Sequence, residues 1–148
     1  MNRLLILFII TFTSCSNISA QKYTNIYIRD ANNVALKWLN NINHQQYGKC
    51  YHLLDEVIKA KYDSTVWCGL IVELMQEFGT LNSRVVINKF FTSELENQED
   101  GFYVFVEYNS DYENTKEHKE YLILKQNDQT KWKILDYNYE FKALKEEE

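Results

Sequence analysis

Apolar and polar positions along the chain change their rhythm twice. An unbroken apolar run opens the sequence, segments with apolar residues every three or four positions follow, and after Gly79 the apolar residues recur at every second position. The middle rhythm predicts helices. Ala31, Val34, Ala35, Trp38, Leu39 and Ile42 form one stripe, so a helix is expected from Asp30, a suitable N-cap, to about Asn41. Cys50, Tyr51, Leu53 and Leu54 predict a short second helix, and Asp55 to Tyr62 another turn or two with Val57 and Ile58 inward. Ser64 is expected to cap a third helix over 65–78, with Trp67, Leu70, Ile71, Leu74 and Phe78 as its apolar stripe and Gly79 as its end.

Beyond Gly79 the alternation and the β-branched and aromatic residues predict four strands, near 83–93, 101–112, 117–125 and 131–141. Short polar connections such as Glu99-Asp100-Gly101 and Asn127-Asp128-Gln129 favour neighbouring antiparallel pairs. Helices followed by strands give an α+β class: three N-terminal helices packed on one face of a curved four-stranded antiparallel meander. One domain is expected over 23–143, followed by an acidic tail over 144–148. Trp38, Trp67, Leu70, Leu74, Val104, Val106, Trp132 and Ile134 are its expected core between helices and sheet.

The opening run reads as an export signal over 1–20. Arg3 supplies a positive start, Leu4 to Ile10 an apolar stretch too short for the roughly 20 residues of a membrane span, and Ser14, Cys15, Ser16, Ser19 and Ala20 the small residues that follow. Two processing sites compete. Cleavage after Ala20 would leave Gln21 first, whereas Phe12-Thr13-Ser14-Cys15 is an imperfect lipobox in which Cys15 would be lipidated. A lipid on Cys15 would be the chain's one attachment to a membrane. Either site makes the protein exported, to the periplasm, the outer envelope or the medium.

Composition narrows the partners. With 45% apolar and 15% aromatic residues the chain is rich enough to pack a core. A net charge of -5 and the lack of a basic stripe argue against nucleic acid. The eleven tyrosines fit half-buried strand positions with the hydroxyl at the rim.

Ala35-Leu36-Lys37-Trp38-Leu39, Gln46-Tyr47-Gly48, Trp67, Gly79 to Arg84, Asp100 to Tyr108, and Trp132 to Tyr137 follow in an order and spacing similar to those of a bacterial family catalogued as domain of unknown function 4019. The chain departs from that pattern at Ser93 to Glu99, where a turn with Pro or Gly is typical. The resemblance implies a cystatin-like fold of the nuclear transport factor two type, a cone of helices and sheet, and an exported location, but no chemistry. In enzymes with such a cone a carboxylate and a His or Tyr act inside it as acid and base. Tyr108, Asp136 and Glu107 are the strand residues here that could serve, and alternation forbids Glu107 and Tyr108 from both pointing inward. Trp67, Tyr108 and Asp136 are therefore the candidate pocket lining, although Trp38, Trp67, Phe90 and Trp132 are expected to fill the cone rather than leave it open.

Other chemistry is sparse. His44, His52 and His118 lack metal-site spacing, so no metal and no cofactor is expected. Cys50 and Cys68 fall on helices that should pack together, and in an oxidising compartment a bridge between them would add roughly 3 kcal/mol; otherwise they are two small buried hydrophobes. The leading expectation is a non-catalytic binding or accessory module of the cell envelope that takes a protein, a peptide or a small apolar ligand. Two alternatives stand beside it: a small isomerase- or dehydratase-like enzyme using the cone, and a homodimer joined through an outward sheet face carrying Tyr103, Phe105, Tyr137 and Tyr139. Intact mass of the protein recovered from the envelope should show a chain beginning at Gln21 or at a lipidated Cys15. A chain that retains Met1 would refute both processing sites.

Overall fold

The computed structural model describes residues 16–144; the apolar run, Cys15 and the acidic end from Lys145 lie outside the described residues. Four helices precede four strands: α1 (Ser16–Asn43), α2 (Tyr47–His52), α3 (Glu56–Lys61), α4 (Ser64–Phe78), β1 (Leu81–Thr92), β2 (Tyr103–Tyr112), β3 (Thr115–Gln126) and β4 (Trp132–Ala143). The strands form one antiparallel meander in the order β1-β2-β3-β4. No helix among the described residues is long and apolar enough to cross a membrane.

The first helix is longer than its apolar stripe predicts. Asp30 is not its cap but a mid-helix residue paired with Arg29 at 2.8 Å, because no Gly or Pro interrupts the chain from Ser16 to Asn43. One face of α1 buries Ala31, Ala35, Trp38, Leu39 and Ile42, while Tyr27, a turn earlier, stacks on Phe102 at 5.0 Å. The chain then breaks at Gln45, whose φ of 57° ends the helix.

The three helices expected are four, since Asp55 separates α2 from α3. Its carboxylate accepts from Val57 N at 3.0 Å as the N-cap of α3, and its own N–H donates to Ile134 O at 2.8 Å. With Ile134 N donating to Leu53 O at 2.9 Å, this segment forms a one-residue parallel bridge on the outer edge of β4. Helix α4 starts a residue earlier than expected, with Asp63 as the cap that accepts from Val66 N at 2.9 Å. It ends at Gly79, φ 76°, where a Cβ would sit 2.8 Å from Asn114 Nδ2. Asn114 lies in the β2–β3 turn and donates through Nδ2 to Glu77 O at 3.2 Å and through its backbone N–H to Phe78 O at 3.0 Å. The end of α4 is thereby bound to the sheet.

Four bulges interrupt the meander. Asn82 and Ile87 are the extra residues of β1, Glu117 and His118 of β3 lie opposite the single residue Phe141, and Leu135 is the extra residue of β4. Val104, Val106, Tyr108, Leu122, Leu124 and Ile134 form the concave face under α1, and all are buried.

The structure corrects several side-chain placements. Leu70 is 49% exposed and Val57 42%, because α3 and α4 turn only part of their apolar surface to the core. Phe90 lies on the opposite, outer face of the sheet, stacked on Phe105 at 4.6 Å and outside the cone. The expected outer set of tyrosines also dissolves. Tyr137 points inward after the Leu135 bulge, and Tyr103 is covered by the 93–102 connection, its hydroxyl donating to Glu99 O at 2.6 Å. Apolar residues left open on β1 include Val85, Ile87 and Phe90.

Trp67 joins α4 to the rest of the core, 6.3 Å from the Trp38 ring and 6.0 Å from Tyr51. Replacing it with Ala should cost about 3 to 5 kcal/mol in a denaturant titration. A loss below about 1 kcal/mol would mean that α4 is held by other contacts.

Candidate ligand-binding site

The concave face is not purely apolar. Alternation along β3 sends His118, Glu120, Leu122 and Leu124 inward together, so a carboxylate is carried into the interior, where Glu120 has no solvent exposure. Burial alone would push its carboxyl up, but Arg84 and the hydrogen bonds around it outweigh burial and hold it below the ordinary carboxylate value. Arg84 Nε lies 2.6 Å from Oε2 and Nη2 3.0 Å from Oε1, a two-pronged pairing. Ser110 Oγ donates to Oε2, Tyr112 to Oε1 at 3.1 Å and Tyr137 to Oε1 at 2.6 Å. Each of the four strands contributes to this cluster.

Beside it, Tyr108 is buried with no partner for its hydroxyl, and burial pushes its pKa to about 12. Tyr112 and Tyr137 are also raised, by burial first and then by the negative Glu120. His118 accepts or donates at Nδ1 to Thr115 Oγ1 at 2.8 Å and is boxed by Phe78, Tyr112 and Phe141; burial holds its pKa below the usual histidine value.

Next to this cluster a cavity of about 800 Å³ opens between α3, α4 and β4. Its size is that of small-molecule sites, which run from about 300 to 1,000 Å³. The expectation of a filled cone is therefore corrected: Trp38 and Trp67 stand in the wall of an open space, since α4 packs against α2 and meets the sheet mainly at its Gly79 end. Leu54, Ile58, Ile71 and Leu74 supply apolar wall. Tyr137 is the shared partition, its ring on the cavity and its hydroxyl on Glu120. The space continues past the bulged edge of β4 to Ile123, Leu135 and the 93–102 connection.

Of the three expected lining residues, Trp67 and Asp136 meet in this cavity and Tyr108 does not. The bulge explains Asp136, because it sets that residue opposite Ile123 while returning Tyr137 to the inner face. Its Oδ1 accepts from Tyr137 N at 2.9 Å and its Oδ2 from Asn138 Nδ2 at 2.6 Å. Tyr108 stays deeper on β2, opposite Glu120 in register. Glu107 takes the outer face, 4.0 Å from Lys119. No histidine lines the cavity among the described residues, and none of their His, Cys, Asp and Glu side chains gather in threes. Cys50 and Cys68 are separate thiols; Cys50 is buried, its Sγ 3.6 Å from Trp38 O, and burial followed by the neighbouring Cys68 pushes its pKa to about 12.

The Arg84–Glu120 cluster is absent from the site residues that the sequence singles out, because most carboxylates of the chain fall in turns and at the C-terminus. A signal exists in the phase of β3, where Glu120 shares its parity with Leu122 and Leu124. A family model described as Protein of unknown function (DUF4019) matches residues 34–137. No curated protein and no solved structure matches the chain.

Acid should destabilise the domain in two stages. His118 binds a proton less readily folded than unfolded, so its contribution is complete above the unfolded value of about 6.5 and is lost as pH falls from there. Glu120 is depressed when folded, so its contribution is present above about 4.3 and is lost as pH falls through the folded value. Urea midpoints measured across this range should fall in both stages, and His118→Gln should remove the upper one. A midpoint that rises on acidification would contradict both assignments.

Proposed function

We propose that this chain, which belongs to the DUF4019 family, is an exported, non-catalytic module that binds a small apolar ligand in the cavity between α3, α4 and β4. The observation that carries the reading is that cavity, of ligand size and walled by Trp38, Trp67, Ile71 and Leu74. The state of the nearby titratable groups supports binding over chemistry. General acid–base work needs two groups free to exchange protons with a substrate. Glu120 has both oxygens occupied by Arg84, Ser110, Tyr112 and Tyr137, Asp136 accepts from its own strand, and Tyr137 is held protonated by burial. Trp38 adds a buried indole N–H without a partner in the cavity wall. Export belongs to the same proposal and rests on the first twenty residues.

Titration with n-octanol, a neutral apolar probe, tests the site by calorimetry. Binding should be saturable at one site, and Leu74→Phe, which extends a wall residue into the space, should weaken it by about tenfold or more. Equal binding by the variant, or no binding by either protein, would overturn the reading.

A further inference from the structure

The charges around the cavity are one-sided. Glu73 and Glu77 from α4, Glu96 from the 93–102 connection and Asp136 from β4 line it, against the single cation Lys61. None of the four forms an ion pair among the described residues. Glu73 and Glu77 stand one helical turn apart on the same side of α4, an arrangement of like charges that destabilises a helix unless something positive answers it. The carboxylates come from three separate elements yet border one space, whose wall also carries the rings of Trp38, Tyr62, Trp67, Tyr137 and Tyr139. An aromatic face attracts a cation through its quadrupole, and most strongly where water is partly excluded.

On this basis we propose that the ligand is a small amphiphilic cation, an apolar body bearing one ammonium group, with the body against the apolar wall and the ammonium beside Glu73 and Glu77 of α4. The inference rests on the cavity being a binding site, and it adds the sign of the ligand's charge. Lys61 alone offers an anionic ligand little, whereas an ammonium would add an ion pair with the exposed carboxylates of Glu73 and Glu77 that a neutral ligand cannot make.

The full chain is titrated by calorimetry with three probes of one chain length: n-octylamine, which is an ammonium at neutral pH, n-octanol and octanoate. Octylammonium should bind about tenfold tighter than octanol, with octanoate weakest, and about 0.5 M salt should narrow the gap. The double variant Glu73→Gln/Glu77→Gln should bring octylammonium down to the affinity of octanol while leaving octanol unchanged, with its urea midpoint confirming that it is folded. Octanol binding as tightly as octylammonium, octanoate binding best, or a double variant that keeps the full preference would each overturn the cationic ligand while leaving the cavity as an apolar site. Failure of all three probes would overturn the site itself.

Discussion

A carboxylate with no exposure to water must find its counter-charge and its hydrogen bonds within the protein, and at Glu120 every one of them is supplied from the sheet. Arg84 reaches it from β1, Ser110 and Tyr112 from β2, and Tyr137 from β4. Such a pair gains little net stability over apolar residues of the same size, because both charges have been taken out of water. Its effect is on uniqueness. A slip of one residue between β2 and β3 would carry Glu120 to the outer face and leave Arg84 buried without a partner, so the cluster penalises wrong registers that a purely apolar face would tolerate better. It also fixes Tyr137, and through Tyr137 one wall of the cavity.

The cavity itself follows from how unevenly the helices are attached. Helix α1 lies across all four strands and carries most of the buried helical residues, whereas α4 packs on the short α2 and is tied to the β2–β3 turn through Gly79 and Asn114. The apolar stripe of α4 is wider than the surface offered to it. Trp67, Ile71 and Phe78 are buried, and Leu70 and Leu74 are left facing or bordering open space. An apolar wall that the chain does not cover itself, with Trp38 and Tyr137 behind it, is what makes the space suited to a ligand.

Much of this fold is legible in the sequence because it rests on periodicity. The change from a three-to-four-residue rhythm to alternation at Gly79 locates the junction of helices and sheet, and turn residues locate the hairpins. What stays hidden depends on contacts between segments distant in sequence. Asp30 looks like a cap only if the chain before it is irregular, and nothing local says that α1 already runs through the residues before it. The openness of the cone is not readable from residue size, since Trp38 and Trp67 can fill a space or border it depending on the distance between α4 and β4. Asp136 and Trp67 border the cavity and Tyr108 does not, because alternation gives the face of a residue but not its depth.

The bulge at Leu135 has a consequence for how β4 tolerates changes of length. Alternation assigns sides by counting, so one residue added to or removed from a strand exchanges the sides of everything beyond it. At Leu135 the count already holds one residue in excess: Ile134 and Tyr137 both face inward although three positions separate them. Removing that residue would restore a regular strand with Tyr137 still directed at Glu120, whereas removing Asn138 would turn Tyr139 and Phe141 outward and strip two rings from beside His118. The strand thus has one place at which a codon can be lost without rewriting the interior, and it lies at the rim of the cavity, where a shorter or longer edge would reshape the opening and leave the buried charge pair alone.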